Sequence, residues 1–316
     1  MVSAFIRGVV LIFPLAIVLA AGNILSQKKF ITKEDVSTLS KLLFWIISPS
    51  LLFRNAFLIK DGFSEHMLFF AAVISAAFIT MLFAYVSEKY LFRCRDAKDL
   101  ALTTAASMRP NTIYVGLPTV QAVFGNEAIP MLSLYVAIAM PLYNLLSPLS
   151  SELILARGRN FKEFVTRALK AILKNPMVMA PLGGIVLTFC GLSKLPTAAD
   201  KSLEMIGNAA TGLALLTLGA SIDISHAKKT LFTCWREVAT RLFIHPGLLY
   251  FCMIIFGIEA SLRNVAVLVT ATPTAVTLFI LARGIGLNGD RAAEITVITT
   301  LLSAVTIPIW ITLLGI

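Results

Sequence analysis

The 316-residue chain is 58% hydrophobic and only 14% charged, with a mean hydropathy of +0.86. Soluble domains are about 45–50% apolar and about 25% charged. No soluble core of this length could hide so much apolar surface, so an integral membrane protein is expected. The net charge of +10 gives no support to a nucleic-acid partner, because the basic residues gather in short stretches between apolar runs, as the positive-inside rule requires.

Apolar runs between charged clusters predict ten spans, near residues 6–26, 37–58, 65–87, 101–124, 128–150, 174–192, 201–222, 237–257, 264–283 and 292–316. At about 20 residues per crossing they make one polytopic domain. Span two carries Ser48-Pro49-Ser50 at a depth suited to a site, and Arg54 near its outer end, where a long cation snorkels. In span four, Arg109 sits roughly 13 Å from the cytoplasmic end at 1.5 Å per residue. Pro110, Asn111 and Thr112 follow it, and then an interruption at Gly116-Leu117-Pro118. Span five holds Tyr143-Asn144, and span eight holds His245, read as an interfacial or packing residue. Span nine is interrupted at Thr272-Pro273-Thr274. Cys94, Cys190, Cys234 and Cys252 show no CxxC spacing and are expected to be reduced.

Orientation follows from the loops. Alternate loops hold 20 of the Lys and Arg residues, among them Lys89, Arg95, Arg236 and Arg241, while the opposite side holds 5. That places the richer side in the cytoplasm and both termini outside, in a plasma or inner membrane. A signal peptide cleaved near Ala20-Ala21-Gly22, which would reverse every later loop, is not expected.

The two halves echo each other. Pro14 and Pro181, Glu127 and Glu294, and Pro141 and Pro308 are each 167 residues apart, whereas the breaks at Pro118 and Pro273 are 155 apart. Two five-helix units are expected, 1–150 and 174–316, joined by a cytoplasmic linker at 151–173. Five is odd, so the second unit enters the membrane inverted. Inverted repeats with one discontinuous helix in each half point to a secondary transporter.

The polar residues near the breaks are the candidate substrate site: Arg109, Asn111, Thr112, Ser48, Ser50, Tyr143, Asn144, Thr272 and Thr274. Gly116, Pro118 and Pro273 mark the breaks themselves. A guanidinium at depth in lipid costs about 2.5 kcal/mol or more, and an anionic substrate is the simplest compensation. The competing role for Arg109 is a snorkelling or carbonyl-capping arginine. No Asp or Glu lies near the middle of a span, so a buried carboxylate that binds a coupling ion is not expected. Motifs of the HExxH, GxSxG and GxxxxGK[ST] kinds are missing, which speaks against an enzyme. No metal or cofactor is expected.

Arg109-Pro110-Asn111-Thr112-Ile113-Tyr114-Val115-Gly116-Leu117-Pro118, with Phe124-Gly125, resembles the fourth-helix motif of the auxin efflux carrier family. Ser48 to Phe53, Asn175-Pro176, and Ala271-Thr272-Pro273 through Ala282-Arg283 to Pro308 resemble its second, sixth, ninth and last helices. The resemblance implies an all-α fold of ten transmembrane helices, two inverted five-helix repeats whose broken helices 4 and 9 cross at their prolines. It implies a scaffold of helices 1, 2, 6 and 7 and a transport domain of helices 3–5 and 8–10. It further implies export of an organic anion, a dicarboxylate or an auxin-like carboxylate, by rocking or elevator movement, with Asn111 and Tyr143 at the substrate. Arg109 departs from the apolar residue of plant members, which points to a smaller or more highly charged substrate than auxin. The central loop is short, so the phosphoregulation of long plant members does not carry over. Partners are then a small organic anion and membrane lipid, with a homodimer allowed. The alternative is a channel-like or structural membrane protein without carrier activity.

Overall fold

A computed structural model describes residues 2–57, 66–155, 166, 170, 173–174, 176–192, 194–221, 232–275 and 277–316. The linker expected at 151–173 lies mostly outside the described residues, as do Asn175 and the side chain of Arg283. Among the described residues the chain is helical, without strands, in twelve stretches: α1 Val2–Gln27, α2 Lys33–Phe57, α3 Met67–Leu91, α4 Ala97–Ser107, α5 Thr112–Phe124, α6 Asn126–Ile154, α7 Pro176–Phe189, α8 Thr197–Ser221, α9 Trp235–Ile255, α10 Ala260–Thr270, α11 Thr277–Gly284 and α12 Gly289–Leu314. Six of them (α2, α3, α6, α8, α9 and α12) are long and apolar enough to cross a membrane by length and composition. Predicted spans four and nine are each two helices, α4 with α5 and α10 with α11.

Proline placement explains much of the local structure. Three π-helical turns, at Leu43–Ile47, Thr112–Gly116 and Thr240–Ile244, each end two residues before a proline: Pro49, Pro118 and Pro246. A proline cannot donate to the carbonyl four residues back and its ring crowds that carbonyl. A widened turn just ahead of it moves the carbonyl aside while the helix continues. This overturns the expectation of a break at Gly116 and Pro118, which lie inside the continuous helical stretch α5. The break in span four is at Met108–Asn111, around Pro110. Pro110 and Pro273 are 163 residues apart, closer to the 167 of the other matched pairs than the 155 expected.

In α9 the freed carbonyl has a definite partner. Pro246 leaves the Leu242 oxygen without its helical donor, and Trp310 Nε1 of α12 donates to it at 2.7 Å. The Trp310→Phe variant keeps the ring and removes the donor. An unpaired buried acceptor costs about 1–3 kcal/mol, so the melting temperature of the detergent-solubilised protein should fall clearly below wild type.

Glycine sets the closest helix contact. A Cβ on Gly219 would lie 2.0 Å from the Leu19 carbonyl oxygen, and one on Gly22 would lie 2.2 Å from that of Leu216. Each glycine thus admits the other helix's backbone where α1 crosses α8. The α7 helix packs in a similar way on α2, where Gly184 faces the Phe53 carbonyl.

Arg54, near the outer end of span two, is ion-paired. Its Nε reaches Asp200 of α8 at 2.7 Å and its Nη2 lies 3.5 Å from Glu204, so α2 and α8 are tied by an ion pair. A second cluster ties α3, α4, α9 and α12 together. Arg236 pairs with Glu88 at 2.6 Å, and Arg291 with Glu237 at 2.8 Å and Asp99 at 3.2 Å, while Thr103 donates to Glu237 at 2.9 Å.

Candidate functional site

The two broken spans meet at their breaks. Asn111 N–H donates to the Pro273 carbonyl at 2.7 Å, Ala275 N–H donates to the Arg109 carbonyl at 2.8 Å, and Pro110 and Thr274 form an isolated antiparallel bridge. Non-helical backbone at membrane depth is tolerated only where its polar groups find partners inside the protein or a water-lined cavity. Here each break supplies the other's partners. On one side of the meeting point α5 packs on α10, and on the other α4 packs on α11.

Each residue of the turn has an identifiable part. Pro110 cannot extend α4. Asn111 then caps α5, its Oδ1 accepting from Tyr114 N–H at 3.2 Å, which satisfies one of the donors a helix start leaves open. Gly116 serves close approach: a Cβ there would sit 3.2 Å from Val269 of α10 and 3.8 Å from Thr272. At the second break, Thr274 N–H donates to Thr299 Oγ1 of α12 at 3.1 Å, and Thr272 Oγ1 donates back to Val269 at 2.6 Å.

Arg109 lies at this crossover, 8% exposed. Its Nη2 donates to Asn144 Oδ1 at 3.1 Å and to Thr277 Oγ1 at 3.0 Å, while Nη1 lies 3.5 Å from the Tyr143 carbonyl. It therefore bridges α6 and the start of α11. Its Nε, the Asn111 Nδ2 and the Thr274 hydroxyl are buried and have no hydrogen-bond partner among the described residues. Such groups are costly in a dry core.

A second arginine shares the crossover. Sequence reading placed Arg241 in a basic loop; the structure places it inside α9, fully buried. Its Nη2 donates to the Thr272 carbonyl at 3.0 Å and to the Thr270 carbonyl, and its Nη1 contacts His245 Nδ1 at 2.7 Å. These carbonyls close the C-terminal end of α10, where the helix dipole is negative. His245 is fully buried too, packed inside the protein, and its Nε2 lies 3.4 Å from the Tyr143 hydroxyl. Tyr143 in turn contacts Tyr135 at 3.0 Å, and Tyr135 contacts Thr270 Oγ1 at 2.7 Å. Tyr135 was not foreseen. Arg241 could have been, because Arg241 and His245 are spaced i, i+4 and lead into Pro246 within a stretch needed to complete a span.

Of the other expected residues, Thr112 is buried beside the turn, its hydroxyl 3.4 Å from the Pro110 carbonyl. Ser48 is buried in α2 with a hydroxyl that has no partner among the described residues, and Ser50 bonds back to Ile46 of its own helix at 2.7 Å. Arg109, Asn111, Thr112, Tyr143, Asn144, Thr272 and Thr274 are thus joined around the crossover by short contacts, and among the described residues no hydrogen bond links the two serines to it.

Residues 8–311 match a family described as membrane transport protein. The chain belongs to this family, that of the auxin efflux carriers. It is 24% identical over 286 residues to an uncharacterized transporter of Methanocaldococcus jannaschii, covering 88% of this chain and 89% of that one. A Rhizobium meliloti protein named for malonate transport is 25% identical over 134 residues, 42% of each chain. An Oryza sativa subsp. japonica protein named for auxin efflux is 27% identical over 154 residues, 46% of this chain and 35% of that one. As an auxin efflux carrier family member, the chain is a membrane transporter, and the crossover is its concentration of buried polar groups.

Proposed function

We propose that the protein is a secondary carrier for a small organic anion, either a dicarboxylate or an auxin-like carboxylate. One observation carries this reading. Arg109 and Arg241 are both buried at the crossover, and among the described residues every hydrogen-bond partner of either is neutral. A guanidinium stays charged in proteins, and an uncompensated cation at membrane depth is costly. An anion would offset that cost. Arg109, Asn111 and Thr274 still have donors to give it, and the N-termini of α5 and α11 add their positive dipole ends. Two relatives are named for malonate and auxin, which supports a carboxylate. Arg241 stands behind the site, holding the α10 end in place.

The carrier we propose is built of two inverted five-helix repeats, 1–150 and 174–316. In support, α1 packs on α8 and α12 just as α7 packs on α2 and α6, the pattern expected when each span is exchanged with the one five along. Spans 1, 2, 6 and 7 are the scaffold, and spans 3–5 and 8–10 carry the site across it by rocking or elevator movement. Both termini lie outside, and the linker at 151–173 is cytoplasmic.

Counterflow in proteoliposomes tests the carrier directly. Unlabelled malonate or indole-3-acetate inside should drive uptake of the labelled compound against its gradient. A channel cannot do this. If no C3–C6 carboxylate and no indole acid gives counterflow, the carrier reading is wrong.

A further inference from the structure

We propose that a groove between α3, α4 and α6, away from the crossover, seats one anionic phospholipid of the surrounding bilayer. The headgroup phosphate would lie on Lys89 and Arg95, and an acyl chain along the groove. The cavity holds about 580 Å³. Its walls include Met81, Leu82, Leu100 and Ile154, with Thr104 and Ser150 whose hydroxyls donate back to carbonyls of their own helices, and its rim is Tyr85, Lys89 and Arg95. From Lys89 down to Met81 is eight residues of helix, roughly 12 Å.

The rim is built by a tight turn. Phe92 N–H donates to the Ser87 carbonyl at 2.9 Å and Cys94 N–H to that of Glu88 at 2.8 Å, with Arg93 at φ 51° between them. This folds the chain back over the end of α3 and sets Arg95 beside the groove. Lys89 Nζ is held 2.6 Å from the Tyr85 hydroxyl and 5.0 Å from the centre of its ring. The nearby acids are already engaged: Glu88 with Arg236, Asp99 with Arg291, and Asp96 as the cap of Lys98 N–H at 2.7 Å. Among the described residues, Lys89 and Arg95 have no carboxylate partner.

Charge and depth select the occupant. Tyr85, Tyr90 and Trp235 gather at this end of the helices, the kind of aromatic belt that marks the headgroup level. Leu82 and Leu153, also lining the groove, are 60% and 65% exposed, so it opens sideways toward hydrocarbon. A soluble anion gains nothing from those walls, and a zwitterionic lipid gains little from the two cations. Basic pockets between membrane helices hold anionic headgroups by this combination.

Cys94 lines the groove and reports its occupancy. In Cys190→Ser protein the remaining cysteines, Cys234 and Cys252, are buried, so maleimide reads Cys94. Added phosphatidylglycerol should slow that labelling at least tenfold, and phosphatidylcholine should not. Lys89→Gln with Arg95→Gln should raise the half-protecting phosphatidylglycerol concentration about thirtyfold. Wild-type protein taken from mixed nanodiscs should retain one phosphatidylglycerol by native mass spectrometry. Equal protection or retention by both lipids overturns the proposal, and so does protection unchanged in the double variant. Protection by free oleate but not by phosphatidylglycerol also overturns it, and assigns the groove to a free amphiphilic carboxylate.

Discussion

Arg109→Gln should raise the Kd for a carboxylate substrate by at least about thirtyfold, whereas Arg54→Gln should change it by less than about threefold. Removing one partner of a buried charge pair costs about 2 kcal/mol or more, and each 1.4 kcal/mol is tenfold in affinity. The contrast isolates position, because both residues are arginines inside spans. Arg54 already has its anions, Asp200 and Glu204. Its removal breaks a half-exposed pair of small worth, about 0–1 kcal/mol, and unsettles the contact between α2 and α8. Arg109 has only amide, hydroxyl and carbonyl partners. Arg109→Lys refines the test, since a point charge cannot fork between Asn144 and Thr277 as a guanidinium does. It should bind better than the glutamine variant and worse than wild type. Thermal shift against malonate concentration reads all three, because a ligand of the native state raises the melting temperature. Equal binding by the Gln variants at positions 109 and 54 would make Arg109 a structural cap.

Hydropathy made the membrane class legible at once, and the spacing of prolines pointed to two broken spans. What it could not give was which proline breaks a helix. Pro118 and Pro110 look alike in sequence, yet the first is absorbed by a π-turn and the second ends α4. The distinguishing signal is local. Pro110 is followed by Asn111, whose side chain caps a new helix, whereas Pro118 follows Gly116, whose missing Cβ lets α5 lie against Val269.

Arg241 shows a different limit. Hydropathy counts a charge as a loop marker, and with Arg236 and Glu237 nearby the count was persuasive. Inside the fold, the three residues separate. Arg236 and Glu237 join the ion-pair cluster at the start of α9, while Arg241, one turn further on, closes the end of α10. The carbonyls that accept its bonds are freed only when span nine breaks, so the i, i+4 spacing with His245 ahead of Pro246 marks Arg241 as intrahelical without naming its partners.

An imposed potential should expose the consequence of having two buried cations. For a carrier coupled to no other ion, 100 mV inside-negative is worth about 2.3 kcal/mol per charge. At equilibrium it should hold a monoanion roughly fiftyfold higher outside proteoliposomes, and a dianion at roughly the square of that. Charges fixed in the protein cannot alter these ratios, because the carrier returns to its starting state in every cycle. They decide which half of the cycle feels the field. In the proposed carrier Arg109 and Arg241 both lie in the moving spans, so the empty site would carry two positive charges, and a bound dianion would bring it near neutrality. The loaded crossing should then be indifferent to voltage, and the inward return of the empty site should accelerate as the inside becomes negative. Arg241→Gln should roughly halve the steepness of that return with voltage and leave the accumulation ratio unchanged, while Arg241→Lys should restore the steepness. Potassium-valinomycin potentials across proteoliposomes supply the measurement. An accumulation ratio that falls in Arg241→Gln would mean that a further ion is coupled. Transport that ignores the potential and follows pH would mean that the acid crosses protonated, and that the two arginines serve structure instead of charge movement.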